Sequence, residues 1–158
     1  SLEVNMKRDL PRGLATQVSK KAQVRKNKKP RVMPTHIVAF DLIGCNKEKT
    51  TPINEKGLAN VKQELDGFIV ESGFSLAGSI ISQKTPRDGF SYSANFLESG
   101  LYVHCWPERR GTVHVTIWYC NYNSDNANKA AKLQDLIRQY FGSRKTERSG
   151  YIYMPVTD

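Results

Sequence analysis

A chain of 158 residues is long enough for one compact domain. Its 39% hydrophobic content excludes a wholly disordered chain, and it holds no apolar run near the roughly 18 residues that cross a bilayer. The formal net charge of +9 would suit a polyanionic partner, but it is unevenly spread: residues 1–35 hold ten basic and two acidic side chains, and residues 36–158 hold fourteen and thirteen.

Residues 1–34 therefore read as a basic, flexible extension and 35–158 as a nearly neutral domain. The extension has no aromatic residue, and Pro30 and Pro34 punctuate its end. It cannot bury enough apolar surface to offset its ordering entropy, although a short helix over Leu14–Lys26 is compatible with its sequence. Lys20-Lys21 and Arg25-Lys26-x-Lys28-Lys29-x-Arg31 suit weak, sequence-independent contact with nucleic acid or an acidic partner. No apolar stretch follows the basic residues, so no secretory leader is expected. Three cysteines (Cys45, Cys105, Cys120) are too few and odd in number for a disulfide scaffold, which points to a reducing, cytoplasmic setting.

In chain order, His36–Ile43 is apolar and reads as a buried strand. Residues 46–54 read as a loop. Asn54 is an N-cap for a helix whose Leu58, Val61, Leu65, Phe68 and Ile69 form an apolar stripe, running to about Ser72 and ended by Gly73. Phe74–Gln83 is a second strand and 85–89 a turn. Phe90–Leu97 and Leu101–Trp106 are strands on either side of a bend at Glu98-Ser99-Gly100. Glu108–Gly111 is a hairpin loop. Thr112–Cys120 alternates, with Val113, Val115, Ile117 and Tyr119 on one face and His114, Thr116, Trp118 and Cys120 on the other. Residues 121–128 are a polar connection. Asp125 caps a helix that turns Ala130, Leu133, Leu136, Ile137 and Tyr140 inward and ends at Gly142. Tyr151–Met154 is a last short strand. The order β-α-β-β-β-β-α-β predicts an α+β fold: a two-layer sandwich, a mainly antiparallel sheet with two helices on one face.

The chemistry-bearing stretch is Gly89–Cys120. Its Glu98-Ser99-x-Leu101-x-Val103-His104-x-Trp106-Pro107-Glu108 run, the strand ending in Cys120, the Gly89-x-Ser91 turn, His36-Ile37-Val38-Ala39 and Glu71-Ser72-Gly73 together resemble the prokaryotic S-adenosylmethionine decarboxylase proenzymes. The resemblance covers about residues 35–154. It implies an enzyme without pyridoxal phosphate or metal, which makes a pyruvoyl group from an internal serine, here Ser99. The Ser99 hydroxyl would attack the Glu98 carbonyl, an N→O acyl shift would give an ester, and β-elimination would then split the chain between Glu98 and Ser99. The pyruvoyl ketone would take the substrate amine as a Schiff base and accept electrons as CO₂ leaves.

The same resemblance implies roles for the other residues. Ser91 supports the acyl shift, and His104 is the base for β-elimination. Cys120 donates the proton after CO₂ loss. Glu108 holds the ribose hydroxyls, and the small-molecule substrate site lies in a homodimer. The stretch Ser82–Asp88 has no aromatic ring to stack on adenine, so Phe90 and Trp106 are the rings that could bind substrate. That absence also suits a same-fold decarboxylase of arginine or ornithine; an unprocessed, inactive homologue and nucleic-acid binding through the tail are further alternatives. Cys45, His104, Cys105, His114 and Cys120 show no zinc-type spacing. Ser99 and His104 are five residues apart, hence on opposite faces of an unbroken strand; a bend at Gly100 would bring them together.

Overall fold

The computed structural model describes residues 35–85, 88–97, 99–120 and 126–154. The basic segment 1–34, the turn residues Pro86 and Arg87, Glu98, and 121–125 with the capping residue Asp125 lie outside the described residues.

The elements are β1 (Thr35–Ile43), α1 (Lys47–Thr50), α2 (Glu55–Glu71), β2 (Leu76–Gln83), β3 (Phe90–Phe96), β4 (Ser99–Trp106), β5 (Thr112–Cys120), α3 (Asn126–Phe141) and β6 (Lys145–Met154). The strands form one sheet in the order β2-β3-β4-β5-β1-β6, with antiparallel pairing throughout. Period-2 alternation divides it into two faces. Phe40, Leu42, Tyr92, Ala94, Leu101, Val103, Val113, Val115 and Ile117 are buried in one core with Val61, Leu65 and Ile69 of α2 and Ala130, Leu133, Ile137 and Phe141 of α3. Both long helices therefore cover the same face, and the fold is the expected α+β sandwich. Each such large side chain contributes about 1.5–3 kcal/mol by leaving water.

Local chemistry sets the helix ends. The Asn54 side chain accepts a hydrogen bond from the Gly57 amide at 2.8 Å, a sound N-cap. Gly73, at φ +97°, reverses the chain after α2, where the Phe74 amide donates to the Ile69 carbonyl at 3.1 Å. A half-buried polar pin ties α2 to β3: the Tyr92 hydroxyl donates to Asp66 at 2.7 Å and Lys62 donates to the other carboxylate oxygen at 2.8 Å. Burial pushes the Asp66 carboxyl up, but hydrogen bonds from Lys62, Ser79 and Tyr92 outweigh it and hold the group below its ordinary range. Burial and the Asp66 carboxylate together push the Tyr92 phenol up.

The structure corrects the sequence reading in several places. The 46–54 loop contains α1, anchored where the Asn46 amide donates to the Phe141 carbonyl at 2.8 Å. In α3, Phe141 is buried while Leu136 and Tyr140 are half-buried, because the core takes the 130-133-137-141 stripe. β6 begins six residues earlier, since Lys145, Thr146 and Glu147 already pair with β1. Ser99 and Gly100 are not a bend but the first residues of β4, laddered to Tyr119 and Trp118.

Candidate active site

Away from the helices, β3, β4 and β5 present an open face. Ser91 is the register partner of His104, and His104 of His114, so the three side chains stand side by side across three strands. Gly89 sets this pairing. A Cβ at Gly89 would lie 1.9 Å from the Cys105 carbonyl oxygen, so only glycine lets β3 start flush against β4.

The Ser91 Oγ and His104 Nδ1 are 2.6 Å apart; with Nδ1 unprotonated, the hydroxyl donates to it. The Trp106 ring meets the imidazole edge-on at 4.3 Å. The Tyr102 ring stacks on it at 6.3 Å, with its hydroxyl 3.4 Å from Nδ1. Burial pushes the His104 imidazole below its ordinary value and His114 adds to this, while the Glu108 carboxylate acts in the opposite direction. The net effect favours the neutral ring, the form that takes up a proton.

Ser91, His104, Trp106 and Glu108 line one cavity of about 520 Å³ with Lys84 and Asp88. Glu108 is exposed at its mouth, on the tight loop where Arg110 and Gly111 take positive φ. Asp88 and Glu108 also border a larger open groove, about 960 Å³, beside Cys45, Lys47 and Ile53; the pair of hydrogen-bonded reactive groups lies in the smaller one. Phe90 also borders this cavity. Its ring is 1% exposed and sits in the helix-side core against Phe141. Burial pushes the Cys45 thiol up to about 11 and holds the Cys105 thiol well above its ordinary value, so neither supplies a ready thiolate.

The structure does not bring Ser99 to this cluster. The β4 ladder runs unbroken from Ser99 to Trp106, so Ser99 faces the helices and His104 the open side. Five residues of strand also separate them by about 17 Å along β4. Gly100 is needed for a different reason from a bend: a Cβ there would lie 2.2 Å from the Trp118 Nε1. Ser99 is 1% exposed, and among the described residues its Oγ has no hydrogen-bond partner. Cys120 stands at the Ser99 end of the sheet on the open face, its Sγ 3.6 Å from the Thr35 hydroxyl. The chain thus carries two separate groups: Ser99 and Cys120 at one end of the sheet, on opposite faces, and Ser91, His104, Trp106 and Glu108 at the other.

Two polar features went unread in the sequence. Asp41, 4% exposed in an otherwise apolar strand, holds His114 through Nδ1 at 2.8 Å, and Thr116 meets its Nε2 at 2.9 Å. Tyr102 shares the His104 face. A charge inside an apolar run was the available signal for the first, and two-residue spacing for the second. Among the described residues, no group of three His, Cys, Asp or Glu side chains is placed to hold a metal ion, and no helix is long and apolar enough to cross a membrane.

The orphaned hydroxyl of Ser99 fits a precursor of a covalent group. A family model described as S-adenosylmethionine decarboxylase matches residues 35–150, from the start of β1 well into β6. No curated protein matches the chain.

Proposed function

The chain belongs to the S-adenosylmethionine decarboxylase family, a family of carboxy-lyases, and on that premise we propose that it cleaves itself between Glu98 and Ser99 and then decarboxylates S-adenosylmethionine for polyamine synthesis, in the cytoplasm. The observation that carries the reading is the buried, unpartnered Ser99 hydroxyl. Leaving such a group unsatisfied costs about 1–3 kcal/mol, a cost that a role as the reacting group would account for. A pyruvoyl group made from Ser99 supplies an electron sink for departing CO₂.

The chain's own residues do the rest. Ser91 and His104 form a hydrogen-bonded proton-transfer pair, with the neutral imidazole as base for β-elimination. Cys120 holds a proton on Sγ for the carbon that CO₂ leaves. Glu108 accepts hydrogen bonds from the two ribose hydroxyls, and Trp106 is the ring beside the cavity that can lie on the adenine.

The separation of the two groups supports a homodimer in which the Ser99–Cys120 end of one protomer lies against the Ser91–His104 cluster of its partner; Cys120 already stands on the open face, and Ser99 reaches it once the cut frees the start of β4. The open face suits a second copy: Ile80, Tyr102, Trp118 and Ile152 are 67%, 41%, 38% and 56% exposed, an apolar set of the kind that marks an interface.

Denaturing mass measurement of purified protein tests the processing. Fragments 1–98 and 99–158, the second blocked at its N-terminus, are expected, and Ser99→Ala should abolish them. An intact chain after long incubation refutes the reading. A second reading, decarboxylation of arginine or ornithine, is favoured by the burial of Phe90, which leaves the cavity fewer rings for adenine. CO₂ release from S-adenosylmethionine, arginine and ornithine, compared side by side, separates the two.

A further inference from the structure

On the helix side, Ser99 lines a small cavity of about 240 Å³ with Gly73, Phe74, Phe96, Asn126 and Lys129. Lys129 is fixed there by its stem. A Cβ built on Gly73 would meet its Cε, Cδ and Cγ at 3.5–3.6 Å, so the side chain lies along the turn that ends α2. Its Nζ sits 5.7 Å from the Phe74 ring centroid, and Phe74 in turn packs on Phe96 at 4.9 Å. Both rings are walls of the cavity that Ser99 lines. Lys129 also lies in the first turn of α3, a turn that holds no acidic residue among those described, at the helix end that carries partial positive charge. A nucleophile-bearing residue, a cation and a helix N-terminus thus share one small cavity, while the Ser91–His104 pair is on the other side of the sheet.

We propose that Lys129 is the cationic group that drives the first step of self-processing, the acyl shift at Ser99; this rests on the processing reading above. In that step the Ser99 Oγ forms a bond to the carbonyl carbon that precedes it, and the carbonyl π electrons move onto oxygen as an oxyanion. Collapse breaks the C–N bond, the hydroxyl proton passes to the nitrogen, and an ester with a free amine results. The ammonium of Lys129, with the positive end of α3, stabilises the oxyanion. Removing one such donor from a preorganised site costs on the order of 100-fold in rate. The work is thereby divided: Lys129 serves ester formation from the helix side, and His104 serves the later elimination.

The test is the rate of fragment formation, followed by denaturing mass measurement, in wild type, Lys129→Met, Lys129→Gln, Lys129→Arg and Lys132→Met, with hydroxylamine added to trap any ester. Met and Gln keep the stem and remove the charge, so one replaces the other if either fails to fold by melting temperature. Both should cleave on the order of 100-fold more slowly, Arg should restore most of the rate, and Lys132→Met, whose lysine pairs with Glu71, should cleave as wild type. Hydroxylamine should fragment His104→Gln at the 98–99 bond, where ester accumulates, and leave Lys129→Met intact. A wild-type rate in Lys129→Met and Lys129→Gln overturns the role of Lys129 while leaving processing itself standing; ester accumulation in Lys129→Met overturns it too, by placing the block after the acyl shift. A wild-type chain that never fragments overturns both.

Discussion

Gly89→Ala is the sharpest perturbation of the open-face cluster. The new Cβ would lie 1.9 Å from the Cys105 carbonyl oxygen, and 2.8 Å from both the Cys105 carbonyl carbon and the Pro107 Cδ. Ordinary contact begins near 3.4 Å, so β3 and β4 must part by about 1.5 Å at this point. The obstacle is backbone, which cannot rotate aside like a side chain. Ser91 begins 2.6 Å from His104, so even two-thirds of that displacement carries it past hydrogen-bond range. Forced overpacking of this kind costs about 1–3 kcal/mol, a Tm loss of about 3–12 °C for a domain of this size. Gly78→Ala is the control, because nothing lies within 4 Å of its Cβ on the neighbouring strand. Thermal unfolding and the rate of chain cleavage should both drop for Gly89→Ala and stay near wild type for Gly78→Ala. Equal melting temperatures and equal cleavage in the two variants would refute the view that Gly89 sets the Ser91–His104 distance.

Gly67→Ala should raise stability by about 0.5–1 kcal/mol in urea unfolding, because Gly67 is exposed inside α2 and its Cβ would meet nothing within 4 Å. Tyr92→Phe should cost about 1–3 kcal/mol, since it strips a buried donor from Asp66. Asp66 has a lowered folded pKa, so its stabilisation is present above the unfolded carboxylate range and lost as pH falls through the folded value; Asp66→Asn should flatten that part of an acid-unfolding curve. His104 is also lowered, so its folded state binds fewer protons near pH 6 and stability there should rise with pH. His104→Gln should remove that slope in a series of melts, and titration of the His104 ring by NMR should show a midpoint below the ordinary histidine value.

The parts of the fold that rest on periodicity were legible in the sequence. β5 alternated apolar and polar residues as a half-buried strand must, and α2 carried both its apolar stripe and its Asn54 cap. The pairing order was not legible, because the placement of β1 between β5 and β6 depends on contacts between residues from 71 to 119 positions apart in sequence. α1 was missed for a related reason: its four residues are too short to show a stripe, and they are held by the distant end of α3. At the site, the identities came from the motif and the placements from the ladder. Two-residue alternation correctly warned that Ser99 and His104 would face opposite ways, and the bend suggested at Gly100 was answered by Trp118, which occupies the space a side chain there would need. Asp41 and His114 find each other only across the β1–β5 ladder, which local pattern cannot show.

The strand order has a consequence for a chain cut before Ser99. The N-terminal piece would keep β1, β2 and β3, and the C-terminal piece β4, β5 and β6. In the sheet these alternate: β2-β3 from the first piece, β4-β5 from the second, then β1 from the first and β6 from the second. Three seams of main-chain hydrogen bonds, β3/β4, β5/β1 and β1/β6, would stitch the fragments together. In neither fragment are all three strands neighbours, so the nick creates an interwoven pair rather than two modules. Such a pair would migrate as one particle under native conditions and come apart only on unfolding. Once unfolded and separated, the fragments would regain the sheet only by finding each other again.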